Sequence, residues 1–503
     1  MSALGTHLLA IDSGTTGTTA LVVRPDGGVA ASAHGELAQH FPRPGLVEHD
    51  PGEIWSLAVR VAGDAIGRAG LRAADVAGVG IANQRETTIV WERSTGRPVH
   101  PAIVWQDRRT TGTCARLAAG GAAQLVADRT GLVLDPYFSA TKIAWVLDHV
   151  DGARARAERG ELCFGTVDSW LTWKATGGAR HVTDVTNASR TSLVDLASAR
   201  WDPELLEIFG VPQAMLPEIR PSAEIVGESR SELLDGAPVV VAALVGDQQA
   251  ALFGQACVTR GQTKNTYGTG SFVLQHAGHD VPRRRDGLLA TVACTPSGST
   301  TEYALEGSIF ATGAAVQWLR DGLGVVRDAS ETEALAASLD GNDDVWFVPA
   351  LAGLGAPVWD ARARGTLLGV TRGTSRAHLA RAVLESIAYQ SRDVLEAMAR
   401  AGEAVVELRV DGGAAANGWL MQFQADVAGV PVDVASRRET TGLGAAYAAG
   451  LATGVWRSPA ELSGVRRSAR RFEPEMSGRA RDALYDRWLE ARARALAWAR
   501  ADA

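Results

Sequence analysis

The chain has 503 residues, of which 46% are hydrophobic and 21% charged, with a formal net charge of -7. That length carries two or three domains with a core each, and an acidic balance without a dense Lys/Arg block outside the C-terminal stretch argues against a nucleic-acid binder. Cys114, Cys163, Cys257 and Cys294 form no C-x-x-C pair, so reduced thiols in a cytoplasmic protein are expected, not a zinc site.

No basic segment followed by a long apolar stretch opens the chain, and the run PVVVAALVG is too short to span a bilayer. No membrane insertion is expected. Residues 8–39 read as a three-strand meander, with Pro25-Asp26-Gly27-Gly28 as a tight turn. Asp50-Pro51 opens an amphipathic helix, with Asp as N-cap and Pro at the first helical position. AGVGIANQRETTIVWE reads as strand, bend and strand, with Arg85 and Glu86 at the bend. APVVVAALVGDQQAALFGQ reads as a buried strand ending on Asp247 and running directly into a helix. A boundary is placed at that junction, giving an N-terminal domain over 1–251 and a C-terminal domain over 252–503.

In the second half, residues 261–275 read as strand, turn and strand, with more strand near 288–306. EGSIFATGAAVQWLRDG reads as a helix, and SRAHLARAVLESIAYQSRDVLEAMAR as a long one. ELRVDGG, ANGWLMQFQADVAG, PVDVAS and TGLGAAYAAGLATG alternate strand and helix, and the basic C-terminal stretch has helical spacing of Leu, Tyr, Trp and Ala. Strands alternating with helices after a meander define an α/β class with mixed sheets.

One device is written twice. LLAIDSGTTGTTALVV runs a strand into Asp12, turns through Ser13-Gly14-Thr15-Thr16-Gly17 and leaves in a second strand. KNTYGTGSFVL places Tyr267-Gly268-Thr269-Gly270 between strands, and LRVDGG ends a strand on Asp411-Gly412-Gly413. Gly and Thr at such bends let backbone N–H groups and small hydroxyls approach an anion. An acid at a strand end beside phosphate suits Mg²⁺, which takes one or two carboxylates plus phosphate oxygens and water. Taken alone, a single such turn is an ordinary hairpin, and neither G-x-x-x-x-G-K-[ST] nor G-x-G-x-x-G supports it. The ordered set DSGTTGTT, NQRETT, GDQQAALFGQ, NTYGTGSF, DGGAAAN points to an ATP-using phosphotransferase with two lobes around a polyphosphate.

With these segments laid out, the chain resembles the FGGY family of carbohydrate kinases along essentially its whole length. The segments GLVEHDPGEIW, DPYFSATKIAWVLDH, FGTVDSWLTWK, VTDVTNASRT and GLGAPVWD add to the match, and GTLLGVTRGTSRAHLARAVLESIAYQ resembles its C-terminal signature. ANQRETT and GDQQAALFGQ resemble the members that phosphorylate glycerol. The resemblance implies an actin-like, ribonuclease H-like ATPase fold with the site in the interlobe cleft, and glycerol, ATP and Mg²⁺ as partners. It also implies a homodimer or homotetramer.

By that resemblance Arg85, Glu86, Tyr137, Asp247 and Gln248 bind the triol, with Trp105 and Phe272 as an apolar wall. Asp247 is the expected catalytic base, although a strand-terminal Asp is otherwise a helix N-cap and Arg85-Glu86 otherwise a solvated ion pair. Asp12 and Asp247 are the expected metal ligands. Thr15, Thr16, Gly17, Thr269, Gly313, Gln317, Gly413 and Asn417 are expected along the nucleotide. Members of the family often carry an Arg, reaching phosphate, where this chain has Thr19. A kinase for a larger sugar such as xylulose, or a non-catalytic nucleotide switch, is the competing reading; the switch would have no use for Asp247 or Arg85-Glu86. Some members respond to fructose 1,6-bisphosphate through an Arg in a glycine-rich loop, or to phosphorylation of a His. Here GESRSELLDGAPVVV has Pro238 at that Arg and no His, so neither device is expected.

Overall fold

The computed structural model describes residues 5–500 apart from 231, 284, 285 and 403. Two large sheets organise it. The first is built from β1 (His7–Ser13), β2 (Gly17–Val23), β3 (Val29–Glu36), β4 (Val76–Asn83), β5 (Ala223–Glu228) and β6 (Val240–Gly246). Its spatial order is β5-β6-β4-β1-β2-β3. β1 to β3 are successive antiparallel neighbours, β4 and β6 lie parallel to β1, and β5 closes the edge antiparallel.

The second sheet holds β7 (Thr263–Tyr267), β8 (Ser271–Gly278), β9 (Leu289–Val292), β10 (Tyr303–Ile309), β11 (Leu408–Gly412), β12 (Val432–Ala435) and β13 (Ser468–Phe472). Its order is β9-β10-β8-β7-β11-β12-β13. β7 and β8 form the antiparallel hairpin, β10 adds antiparallel to β8, β11 and β12 run parallel to β7, and β13 closes the edge antiparallel. Strand for strand this repeats the first sheet, with β9 as an extra edge. The Ser13–Gly17 and Tyr267–Ser271 turns therefore occupy equivalent corners of two equivalent sheets.

The helices cover these sheets as their patterns require. α1 (Pro51–Ala69) is capped by Asp50, whose side chain accepts from the Gly52 N–H, and it stops at Gly70, which adopts φ 67°. It buries Ile54, Leu57, Ala58, Val61 and Ala65 against β1 to β3. α2 (Asp247–Gly254) leaves β6 without an intervening loop. α3 (Arg376–Ala401) and α4 (Gly418–Ala428) pack under the second sheet, and α6 (Gly478–Ala495) docks there through Trp488.

α5 (Thr440–Ala452) behaves differently. It comes from the second half of the chain, yet its Leu443, Ala445, Ala446 and Tyr447 share a core with Leu8, Ala10, Leu21, Ala82 and Val245 of the first sheet. Small residues make this approach possible. A Cβ on Gly80 would lie 2.1 Å from the Ala445 carbonyl oxygen, and one on Gly444 only 1.8 Å from that of Ala250 in α2.

One expected helix is corrected. Glu306-Gly307-Ser308-Ile309 belongs to β10, and helix begins only at Gly313 (Gly313–Gln317), continuing as a wider turn over Trp318–Gly322. Pairing with β8 along its whole length outweighs the weak helical periodicity of the segment.

Candidate active site

The acids expected from the sequence stand at or just past the carboxyl ends of parallel strands, where open α/β sheets place their ligands. Asp12 and Asp411 are the penultimate residues of β1 and β11, Asp247 directly follows β6, and Glu86, with Arg85 before it, follows β4. Asn83, the last residue of β4, locks that end by exchanging amide hydrogen bonds with Asn187, at 3.0 and 3.1 Å. The chain then turns sharply, and Glu86 takes a left-handed φ of 62°.

Arg85 and Glu86 are not a solvated pair; both are almost wholly buried. The Arg85 guanidinium donates from Nη1 to Glu306 Oε2 at 2.5 Å and from Nη2 to Glu306 Oε1 at 3.2 Å. Its Nε lies 3.1 Å from Asp247 Oδ1. Arg190, also buried, donates from Nε to Glu86 Oε1 at 2.7 Å and from Nη2 to Glu306 Oε1 at 3.0 Å. Burial pushes the Glu306 carboxyl up, but Arg190 and Arg85 overcome it and hold the group at about 2. Glu86 is displaced upward, since burial outweighs its two arginine partners. The Arg190 Nη1 is buried with no hydrogen-bond partner among the described residues. The result is a buried, alternating array, Glu86-Arg190-Glu306-Arg85-Asp247, with one edge exposed through Asp247, whose side chain is 26% accessible.

Around this array stand the aromatic groups. Trp105 meets Tyr137 edge-to-face with centroids 5.5 Å apart, and the Trp105 Nε1–H donates to Thr15 Oγ1 at 2.9 Å. The Arg85 guanidinium lies over the Phe272 ring, 5.9 Å from its centroid, and that of Arg190 over Tyr137 at 5.6 Å. Trp105, Tyr137 and Phe272 thus border the charged array, and Trp105 joins it to the first turn.

Asp247 is the first residue of α2, not its cap: the N-cap is Gly246, and Asp247 Oδ1 accepts from the Gln248 N–H at 2.7 Å. Burial, with Asp247 facing it, raises Asp12 to about 7. Gln248 Oε1 accepts from Lys264 Nζ at 2.6 Å. Lys264 is buried, donates also to Thr266 Oγ1 at 2.9 Å, and is lowered to about 8 by burial against the pull of Asp411 and Asp247. Lys264 is therefore the ammonium between the acids of the two halves. Thr19 Oγ1 is hydrogen-bonded to His34 Nδ1 at 3.0 Å, and the His34 ring lies over Gly17, where a Cβ would be 2.8 Å from its Cε1.

The second turn is tied to the segment after β10. Gly313 N–H donates to the Gly268 carbonyl at 3.0 Å, and Thr312 and Ala314 N–H groups to that of Thr269, each at 3.0 Å. Gly413 is open, with nothing within 4 Å of the position of a Cβ. Asn417 caps α4 by accepting from the Leu420 N–H, and its amide donates to Thr332 Oγ1 at 3.4 Å. Gln317 is exposed and Thr16 is exposed beside the buried Gly17. Glu306, Arg190 and Lys264 are the site residues that sequence reasoning missed; each sits in a strand or loop with no local pattern to mark it.

Two lobes on one repeated sheet, with acids and glycine turns converging at strand ends, define an actin-like ATPase fold. The chain belongs to the FGGY family of carbohydrate kinases: the family's N-terminal domain matches residues 7–254 and its C-terminal domain residues 263–453. The chain is 56% identical to a glycerol kinase of Trichlorobacter lovleyi, over 98% of this chain and 99% of that one. It is 54% identical to a glycerol kinase of Deinococcus radiodurans, covering 98% of each. Among solved structures it resembles Plasmodium falciparum glycerol kinase with ADP, with a TM-score of 0.91 and 33% identity over 98% of this chain and 99% of that one. The xylulose kinase of Lactobacillus acidophilus shares the fold, with a TM-score of 0.86 at 20% identity over 97% of each chain.

Proposed function

We propose that this chain transfers the γ-phosphoryl group of ATP to a primary hydroxyl of glycerol, giving glycerol 3-phosphate and ADP. The observation that carries the reading is the buried array Glu86-Arg190-Glu306-Arg85-Asp247, bordered by Trp105, Tyr137 and Phe272. It offers a small uncharged triol donors and acceptors on one side and rings for its CH₂ faces on the other. The identity to glycerol kinases over nearly the whole chain supports the same substrate.

Arg85 and Glu86 bind hydroxyls at one end of the triol, joined by Tyr137, and Gln248 lies beside Asp247. The Asp247 carboxylate, held by Arg85 but open on its outer edge, accepts the proton of the attacking hydroxyl. The hydroxyl oxygen then bonds to the γ-phosphorus while the bond from that phosphorus to the ADP oxygen breaks. Thr15, Thr16, Gly17, Thr269, Gly313 and Gly413 line the phosphates, with Gln317 and Asn417 toward the adenosine. Such transfer asks mainly for alignment and charge stabilisation, and Lys264 supplies a buried positive charge between the lobes.

Among the described residues no group of three or more His, Cys, Asp and Glu could hold a metal ion. Asp12 and Asp247 nonetheless fit Mg²⁺, because burial and the facing Asp247 raise the proton affinity of Asp12, and two carboxylates so placed suit a hard cation shared with phosphate oxygens and water. When bound, Mg²⁺ neutralises phosphate charge developing during transfer. No described helix is long and apolar enough to cross a membrane. A homodimer or homotetramer rests on the family resemblance, and action in the cytoplasm on the four widely spaced cysteines. Domains over 1–251 and 252–503 rest on the strand-to-helix junction at Asp247, and their roles, the first carrying the triol site and the second binding nucleotide, on the resemblance. ADP release measured with glycerol, xylulose and gluconate side by side tests the substrate. Turnover of xylulose above that of glycerol would refute it.

A further inference from the structure

Beyond Asp411, on the side away from Asp247, a cavity of about 240 Å³ opens where the two halves meet. The β2–β3 turn contributes Arg24, the end of α2 Gln255, the segment after β12 Arg437, α5 Thr440, and the segment before β13 Arg466 and Arg467. Four guanidiniums in so small a space stand out in a chain of net charge -7. Two of them are matched: Arg24 lies 3.5 Å from Asp26, and Arg466 donates to Asp433 Oδ2 and Oδ1 at 3.0 and 3.1 Å. Arg437 and Arg467 are exposed and make no side-chain hydrogen bond or ion pair among the described residues. Asp26, the acid on the cavity wall, is already engaged by the Gly28 N–H at 2.8 Å.

The cavity is wired to the Gly412-Gly413 turn. Arg466 Nε donates to Gln255 Oε1 at 2.9 Å, and Gln255 Nε2 donates to Asp411 Oδ2 at 2.6 Å. Thr440, on the cavity wall, donates to the same oxygen at 2.8 Å. Asp411 directly precedes Gly412-Gly413. Every link from the cavity to that turn is a hydrogen bond of ordinary length between buried or half-buried groups.

We propose that this cavity is a second anion site, taking a compact phosphate ester or diphosphate, and that its occupancy is coupled to nucleotide binding. Planar guanidinium forks match phosphate oxygens two at a time, so Arg437 and Arg467 would form the first contacts and Arg466 would turn to complete them. Arg466 then leaves Gln255 Oε1, the Gln255 amide holds Asp411 less firmly, and the turn at Gly412-Gly413 loosens. Binding of the anion therefore weakens binding of ADP. The coupling rests on the nucleotide lying at Gly413; the anion site itself does not.

The test is calorimetric titration of inorganic pyrophosphate into the full chain saturated with glycerol and ADP, without divalent cations. One pyrophosphate per chain is expected, with a Kd below about 1 mM that rises with salt. The double variant Arg437→Ser/Arg467→Ser, with the single variants alongside, should bind it about tenfold or more weakly while keeping kcat within about twofold when no anion is added. Pyrophosphate should raise the Kd of ADP about fivefold in the parent chain and leave it unmoved in the double variant. Equal pyrophosphate binding by parent and double variant, or no binding below about 10 mM, overturns the site. A weakening of ADP that persists in the double variant marks competition at the nucleotide turns and overturns the coupling. Since binding is read as heat, its outcome is independent of whether glycerol is the substrate.

Discussion

Glu306→Gln tests whether the buried charge array is what makes the site. The native carboxylate accepts from Arg85 at 2.5 and 3.2 Å, from Arg190 at 3.0 Å, and from Ser308 Oγ at 3.2 Å. An amide keeps one acceptor oxygen and turns an N–H toward a guanidinium. Two buried cations are then left with Glu86 and Asp247 as their carboxylate partners, Arg85 keeping a neutral acceptor in Gln249 Oε1 at 3.2 Å. Removing one partner of a buried pair costs about 3–5 kcal/mol, and a charged hydrogen bond is worth about 1.5–3 kcal/mol. Part of that is recovered if Arg85 leans onto Asp247, which misplaces both groups for the triol. Urea unfolding should show a loss of about 3 kcal/mol, and steady-state assays a KM for glycerol raised about 10- to 100-fold. The KM for ATP should stay within about threefold, because Glu306 is bonded to Arg85, Arg190 and Ser308 and to neither glycine turn. Glu306→Asp, which keeps the charge, should recover part of the glycerol affinity. A Glu306→Gln chain with wild-type KM for glycerol would show the array to be scaffold only.

Asp247→Asn should preserve the fold and most glycerol binding while lowering kcat by about 10²–10⁴, and more than a tenth of wild-type kcat would remove it as the base. Arg85→Ala and Glu86→Ala should raise KM for glycerol far more than KM for ATP; equal effects on both would move these residues out of the triol site. Glycerol with a non-hydrolysable ATP analogue should shrink the radius of gyration in small-angle scattering, since closure keeps water from the phosphoryl group, and an unchanged radius with binding confirmed would speak against a hinge. Gly444→Ala should cost about 1–3 kcal/mol in urea unfolding, because its Cβ would sit 1.8 Å from the Ala250 carbonyl oxygen; unchanged stability would mean that α2 and α5 separate freely.

Much of the frame was legible because its signals are local. Asp50-Pro51 starts α1 by cap chemistry that needs no tertiary context. The glycine and threonine turns after Asp12 and Tyr267 lie between strongly apolar strands, and both emerged as hairpins. The segment after Leu305 was illegible for the opposite reason: Gly-Ser-Ile-Phe-Ala-Thr-Gly suits helix or strand, and the partner that decides, β8, lies about thirty residues earlier in the chain. Glu306 and Arg190 are 116 residues apart, and nothing around either one announces the other. Lys264 looks like an ordinary strand lysine until burial places it on Gln248. Arg85-Glu86 could be read only by resemblance, since an adjacent ion pair has no sequence mark that tells buried from wet.

The position of α5 bears on how the chain is made. Residues 440–452 cover a face of the first sheet whose strands are complete by Gly246. During synthesis the apolar row Leu8, Ala10, Leu21, Ala82 and Val245 must wait for nearly two hundred further residues before its cover leaves the ribosome. The N-terminal half is therefore a sheet with one finished side, and exposed apolar strands of that kind invite misassembly. A fragment ending near Gly254 inherits the same bare face, so the two family-matched halves are separate in sequence but share one folding event.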